Sequence, residues 1–262
     1  MFANVAVCQP MSTRIFSKWV TCPRPNPEAR LRLFCIPFAG GGASIYRLWA
    51  SQLPSSIEVC PIQLPGREDR YREPAFTSIT AAAQVLAREL TPFLDKPYAI
   101  FGHSMGALVG FEVTRALRRA RLAAPLGLFV AAYPAPQAPL ARSPIHHLPD
   151  RDFIEEMRRM EGTPAAVLDN VELMEFMLPI LRADFEACDT YTNVPEAPLE
   201  CPLLVYGGAD DREVGEAGLR QWRDQAAQSF ALRMLPGNHF FVQSHRDLLL
   251  ADIAGQLTTL LV

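Results

Sequence analysis

Four short clusters in this 262-residue chain bring together residue types that acyl transfer needs. The first is Gly102-His103-Ser104-Met105-Gly106, a match to G-x-S-x-G. The apolar run Tyr98–Phe101 before it reads as a strand, and Met105–Arg119 after it has helical spacing. A serine at such a junction sits on a sharp turn, with its hydroxyl held above the sheet. The glycines two positions to either side are needed because a Cβ at either place would strike neighbouring backbone. The turn also aims the backbone N–H of Met105 at an oxygen bonded to Ser104. The start of the following helix adds positive potential for an oxyanion.

A serine hydroxyl is a weak nucleophile at neutral pH and needs a base. Of the five histidines, His239 stands just past the strand-like run Phe230–Leu235, in Pro236-Gly237-Asn238-His239-Phe240-Phe241. His103 adjoins the serine, but its side chain leaves the turn in another direction. His146 and His147 lie in a proline-rich loop, and His245 enters the last helix, where it suits a cap. In hydrolases built on a strand–serine–helix turn the chain order is Ser, acid, His. The acid is therefore expected between Ser104 and His239. Asp210 and Asp211 both qualify, in Gly207-Gly208-Ala209-Asp210-Asp211 after the strand Pro202–Tyr206, and position does not separate them. Asp211 could equally cap the following helix. Asp184 and Asp189 fall inside a helical stretch and are discounted.

The fourth cluster, Pro37-Phe38-Ala39-Gly40-Gly41-Gly42, follows the first strand. Its glycines let backbone approach a ligand closely. An N–H of Ala39 or Phe38 would complete an oxyanion hole with that of Met105. The cluster has neither G-x-G-x-x-G nor the lysine of a phosphate loop.

The elements that must position these residues alternate. Strands are predicted at Leu31–Ile36, Ile57–Leu64, Tyr98–Phe101, Leu126–Ala132, Pro202–Tyr206 and Phe230–Leu235. Helices are predicted at Ser44–Leu53, Ser78–Leu94, Met105–Arg119, Glu216–Ala227 and Arg246–Leu261. Short apolar strands alternating with helices give a mostly parallel, doubly wound sheet. The exception is 134–198, which begins with five prolines and continues as helices at Asp150–Met160, Asn170–Leu181 and Ala183–Tyr191. It leaves from the carboxyl end of a strand, which makes it a candidate lid. Residues 1–30 read as an irregular arm, within which Met11 is a candidate start, and 31–262 as the domain.

Composition narrows the rest. With 25 basic and 28 acidic residues the net charge is −3, against nucleic-acid binding. No stretch reaches the ~20 apolar residues of a membrane span, and no signal peptide is evident. Six cysteines without C-x-x-C spacing are expected to be reduced thiols, with no metal and no redox motif. A cytoplasmic monomer without a cofactor is expected.

Taken together, the clusters resemble a known family. Phe34-Cys35-Ile36-Pro37-Phe38-Ala39-Gly40-Gly41, Leu64-Pro65-Gly66-Arg67-Glu68, the Ser104 motif and the Asp210–Asp211 run are similar to those of type II thioesterases. These are the editing hydrolases of polyketide and nonribosomal peptide assembly. Gly162-Thr163-Pro164 and Leu178-Pro179-Ile180-Leu181-Arg182-Ala183-Asp184 resemble the family's lid region. One departure is Ile36-Pro37-Phe38, where the family often has Phe-Pro-His or Phe-Pro-Tyr. The resemblance implies an α/β-hydrolase fold with a helical lid. It implies Ser104 as nucleophile, His239 as base and Asp210 as acid, with Met105 and Ala39 as oxyanion donors. The substrate would be an acyl thioester on the phosphopantetheine arm of an acyl or peptidyl carrier domain; small acyl thioesters are related substrates. Phe153, Met157, Leu173, Phe176 and Met177 are candidate pocket lining. Carrier domains are acidic, so Arg67, Arg70 and Arg72, or Arg115, Arg118, Arg119 and Arg121, could meet one. Alternatives are a general esterase, an acyl-CoA thioesterase, an acyltransferase, or a non-catalytic acyl-binding protein.

Overall fold

The computed structural model describes residues 17–139, 142–160 and 165–261. The first half of the arm and the Gly162-Thr163-Pro164 run lie outside the described residues.

Six strands form one parallel sheet: β1 (Leu31–Ile36), β2 (Ile57–Pro61), β3 (Tyr98–His103), β4 (Leu128–Ala131), β5 (Leu203–Gly208) and β6 (Phe230–Leu235). Their order is β2-β1-β3-β4-β5-β6. Every residue of β1 to β5 is buried, as a parallel sheet covered on both faces requires. Alternate residues of β1 serve opposite cores. Phe34 and Ile36 pack with α2 (Ile79–Leu90) and α3 (Met105–Arg119). Leu31, Leu33 and Cys35 pack with α1 (Trp49–Gln52) and α8 (Arg246–Leu260). Helix α2 starts where Ser78 accepts from the Ala81 N–H. It buries Ile79, Ala82, Ala83, Leu86, Ala87 and Leu90, the stripe expected from its spacing.

The winding reverses at β1. The chain goes out to β2 and returns on the far side of β1 as β3. Ligands in such sheets bind at the carboxyl ends of the strands beside this switch point. Here those ends carry the loop after β1, with Ala39, and the turn after β3, with Ser104.

Between β4 and β5 the chain makes a helical excursion: α4 (Asp150–Arg159), α5 (Ala165–Leu168) and α6 (Val171–Asp189). It has a small core of its own, with Ile145, Phe153, Met157, Leu168, Met174 and Leu181 buried together. The two helices expected at 170–181 and 183–191 are one. Pro179 forfeits an N–H within α6. The helix continues because Ile180, Leu181, Asp184, Ala187 and Cys188 form one buried stripe across the expected break. Two other expected helices are shorter: 44–53 is a 3-10 turn at Ala43–Tyr46 plus α1, and 216–227 is α7 (Glu216–Arg220) plus a 3-10 turn.

The described part of the arm has no helix, yet it is not loose. Val20 bridges Ile62 in antiparallel fashion, and the Trp19 carbonyl accepts from Gln63. Trp19 and Val20 are buried. The arm thereby covers the chain beyond the edge strand β2, whose backbone would otherwise be open to other chains.

Candidate active site

Ser104 has φ 54° and ψ −123°, a conformation that a side chain adopts only where the surroundings enforce it. The enforcement is steric. An added Cβ at Gly102 would lie 2.0 Å from the Gly106 carbonyl oxygen, and one at Gly106 would lie 2.2 Å from that of Ile36. Strand, turn and helix thus close to backbone contact, and only glycine fits either place. Met105 opens α3, so its N–H belongs to the first turn, whose donors have no partner within the helix.

The Ser104 hydroxyl is 3.1 Å from His239 Nε2, and His239 Nδ1 is 2.9 Å from Asp211 Oδ2. His239 is 8% exposed, and the Asp211 side chain is fully buried. Burial pushes the Asp211 carboxyl up, but the hydrogen bond and charge of His239 and two backbone N–H groups outweigh it. The net direction is downward, so the carboxylate is charged. A hydroxyl, imidazole and carboxylate in this order let the ring take the hydroxyl proton while the carboxylate fixes its tautomer.

The acid position corrects the expectation of Asp210. Asp210 is exposed, and its backbone N–H donates to Gly237. In the turn after β5 Asp210 is left exposed, and Asp211 is the one that reaches His239. Asp211 does not cap the following helix, whose N-cap is Gly215; its second oxygen closes the turn that leads there. Oδ2 meets His239, while Oδ1 accepts from the N–H groups of Glu213 and Val214 at 2.9 and 3.1 Å. This capping of the turn two and three residues on was the available signal. Asp184 and Asp189 are engaged elsewhere, with Arg67 and with Arg142 and His146.

His103 is wholly buried, and its Nε2 lies 2.8 Å from the His239 carbonyl oxygen. Phe38 and Phe240 pack edge-on against its ring at 5.4 and 5.5 Å. Burial first, then the neighbouring His239, hold it neutral, with its pKa lowered to about 3.

Ser104 and His239 open into a cavity of 460 Å³ between the sheet and the excursion, which Ala39 and Met105 also line. Of the five apolar residues expected to line a pocket, Met157 does. Phe153 lies in the excursion's core, Met177 packs against it, and Leu173 and Phe176 are exposed. The apolar wall comes instead from Met160, Leu181, Phe185, Tyr133, Pro134 and Val214. Among the described residues no group of three His, Cys, Asp or Glu side chains is placed to hold a metal ion.

The arginine clusters are not free surfaces. Arg67 is buried against Asp184, and Arg70 is buried against Glu73 with its guanidinium 4.0 Å over Trp19. Arg115, Arg118 and Arg119 converge on Glu196, where the chain returns towards β5. Arg72, Arg119 and Arg121 are the exposed members of the two sets.

Fold and site together define an α/β hydrolase with a serine at its strand–helix turn. Residues 31–257 match the thioesterase domain family. Gramicidin S biosynthesis protein GrsT of Aneurinibacillus migulanus is 42% identical over 94% of this chain and 96% of its own length. Among solved structures, the type II thioesterase BorB from the borrelidin biosynthetic cluster superposes with a TM-score of 0.85. It is 35% identical, over 93% of this chain and 99% of that one. YbtT, a type II thioesterase from the yersiniabactin NRPS/PKS pathway, superposes with a TM-score of 0.84 at 31% identity, over 93% and 100%. The chain belongs to the thioesterase domain family and is a hydrolase of thioesters.

Proposed function

We propose that this chain is a type II thioesterase that clears acyl groups from the phosphopantetheine arms of carrier domains in polyketide or nonribosomal peptide assembly. The observation that carries the reading is the Ser104–His239–Asp211 relay opening into a largely apolar cavity roofed by helices. The relatives' roles in gramicidin S and yersiniabactin biosynthesis support the setting. Among the described residues five cysteines are free thiols, four of them buried, and no helix is long and apolar enough to cross a membrane; a cytoplasmic location is part of the proposal.

In the first step His239 Nε2 takes the Ser104 proton as Oγ attacks the thioester carbonyl. Asp211 stabilises the imidazolium that forms. The N–H groups of Met105 and Ala39 receive the oxyanion; one such donor contributes about 3 kcal/mol to the transition state. Collapse breaks the C–S bond, and His239 returns the proton to the departing thiol. Water then gives its proton to His239 and attacks the acyl-serine ester. The second tetrahedral adduct releases the acid, and Ser104 regains its proton. A thiolate is a good leaving group, so acylation asks less of the general acid than amide cleavage would.

The test is a matched hydrolysis assay of wild type and Ser104→Ala. One acyl group is presented on a carrier domain, on coenzyme A and as an oxygen ester. Preference for the carrier thioester, with an inactive variant, is the expected result. Equal cleavage of the oxygen ester would make the protein a general esterase.

A further inference from the structure

Helix α6 reaches beyond the roof of the cavity into the loop after β1. Asp184, 2% exposed, accepts the Gly40 N–H on Oδ2 at 2.7 Å. The same carboxylate receives both arms of the Arg67 guanidinium, Nη1 on Oδ2 and Nη2 on Oδ1, each at 2.9 Å. Arg67 Nη1 also donates to the Gly41 carbonyl oxygen at 3.3 Å, and Arg67 Nε donates to that of Pro65. Gln63 ties the same assembly from below: Nε2 donates to the Arg67 carbonyl and Oε1 accepts from the Ala43 N–H. The loop itself turns tightly, with the Gly41 N–H donating to the Phe38 carbonyl. Leu181, one turn before Asp184, is packed so closely that a Cβ at Gly40 would fall 2.7 Å from its Cδ2.

Ala39 is enclosed by these contacts. Its neighbour Gly40 is held through the N–H by Asp184, Gly41 through the carbonyl by Arg67, and Phe38 by the turn. A bidentate guanidinium–carboxylate pair fixes orientation as well as distance. A donor for an oxyanion works through being aimed before the charge develops.

We propose that Asp184, acting with Arg67, is a positioning residue that aims the Ala39 N–H at the reacting carbonyl, so that the roof helix sets the geometry of the oxyanion hole. The inference rests on the function proposed above, in which Ala39 is a donor. Asp184 does not touch the reacting atoms; it acts through Gly40.

The test compares two double variants, because changing one partner strands a buried charge on the other. In Arg67→Met/Asp184→Leu both charges and the Gly40 acceptor are gone. In Arg67→Met/Asp184→Asn the charges are gone, but an amide oxygen still accepts the Gly40 N–H. Four quantities are read on each full-length protein: kcat and KM with an acyl-pantetheine thioester, affinity for a trifluoromethyl ketone analogue that adds to Ser104, and affinity for a thioether analogue with a methylene in place of the carbonyl. The leucine form is expected to lose about 10- to 100-fold in kcat, less than outright removal of a donor. It should lose trifluoromethyl ketone affinity in parallel, with KM and thioether affinity within about twofold. The asparagine form is expected to recover most of the loss. Unchanged kcat in a folded leucine form, equal loss of thioether affinity, or no recovery with asparagine would each overturn the proposal. Failure of the function reading shows separately, as a wild type that does not hydrolyse the thioester.

Discussion

His103 Nε2 donates its proton to the backbone carbonyl of His239, 136 positions along the chain, at 2.8 Å. A carbonyl oxygen only accepts, so Nε2 carries the hydrogen and Nδ1 is bare; among the described residues Nδ1 has no partner. The residue before the serine therefore anchors the loop that carries the base. Changing His103→Phe removes the donor and leaves a buried carbonyl unpaired. A fall of about 10-fold in kcat is expected as His239 drifts from Ser104, with little change in KM. His103→Gln offers a replacement N–H and should retain most of the activity. Steady-state kinetics on the two variants decides this.

The same ring gives a pH prediction. Its folded pKa is about 3, below the unfolded value of about 6.5, so the unfolded chain binds the extra proton. Stability from this group is whole above pH 6.5 and falls as the pH drops towards 3. The slope is at most about 1.4 kcal/mol per pH unit. Urea unfolding at pH 7, 6 and 5 should show the loss in wild type and a shallower one in His103→Gln. Parallel slopes would refute it.

Adjacent aspartates provide an internal control. Asp211→Asn keeps the shape but permits the wrong imidazole tautomer, and a loss of about 10⁴-fold in kcat is expected. Asp210→Asn alters an exposed carboxylate and should stay within about twofold. Thioester hydrolysis measured on both variants separates the roles; comparable losses would contradict the geometry.

These residues also mark what a sequence can reveal. Ser104 and His239 were legible because backbone geometry dictates their surroundings: a strand, a turn and a helix for one, the end of a strand for the other. The choice between Asp210 and Asp211 turned on which way a side chain leaves a tight turn, and spacing carries no such information. Arg67 and Arg70 looked like surface charge because their buried partners are not evident from local pattern: Asp184 is 117 positions away, and Trp19 sits in an irregular arm. The stretch 170–191 read as two helices, whereas the buried stripe from Ile180 to Cys188 holds α6 together. All six strands were found, β1 and β6 to the residue and the others with ends off by one to three residues, since the burial of β1 to β5 leaves a continuous apolar signature.

The turn glycines should be intolerant in a distinctive way. Gly102→Ala or Gly106→Ala drives a methyl into backbone oxygen, not into a side chain that could rotate away. A destabilisation of about 3 kcal/mol or more is expected, at the upper end of overpacking. Ser104→Ala, at the centre of the same turn, should cost far less. Thermal unfolding of the three variants tests this: tolerance of alanine at both glycines would mean the turn can relax.

The cavity wall offers a handle on acyl length. Gly218, in α7, lines the cavity opposite Pro134, and a Cβ there would meet Pro134 Cβ at 3.4 Å, an ordinary contact. A methyl therefore fits, and Gly218→Ala should stabilise by up to about 1 kcal/mol through helix propensity. Gly218→Leu extends the side chain into a space of 460 Å³, which a long acyl chain needs and an acetyl group does not. For the leucine variant, kcat/KM with a decanoyl thioester is expected to fall at least 10-fold relative to wild type. With the acetyl thioester it should stay within about twofold, since Ser104, His239 and Asp211 are untouched. Equal losses on both substrates would place the acyl chain elsewhere and leave this cavity without a part in selecting it.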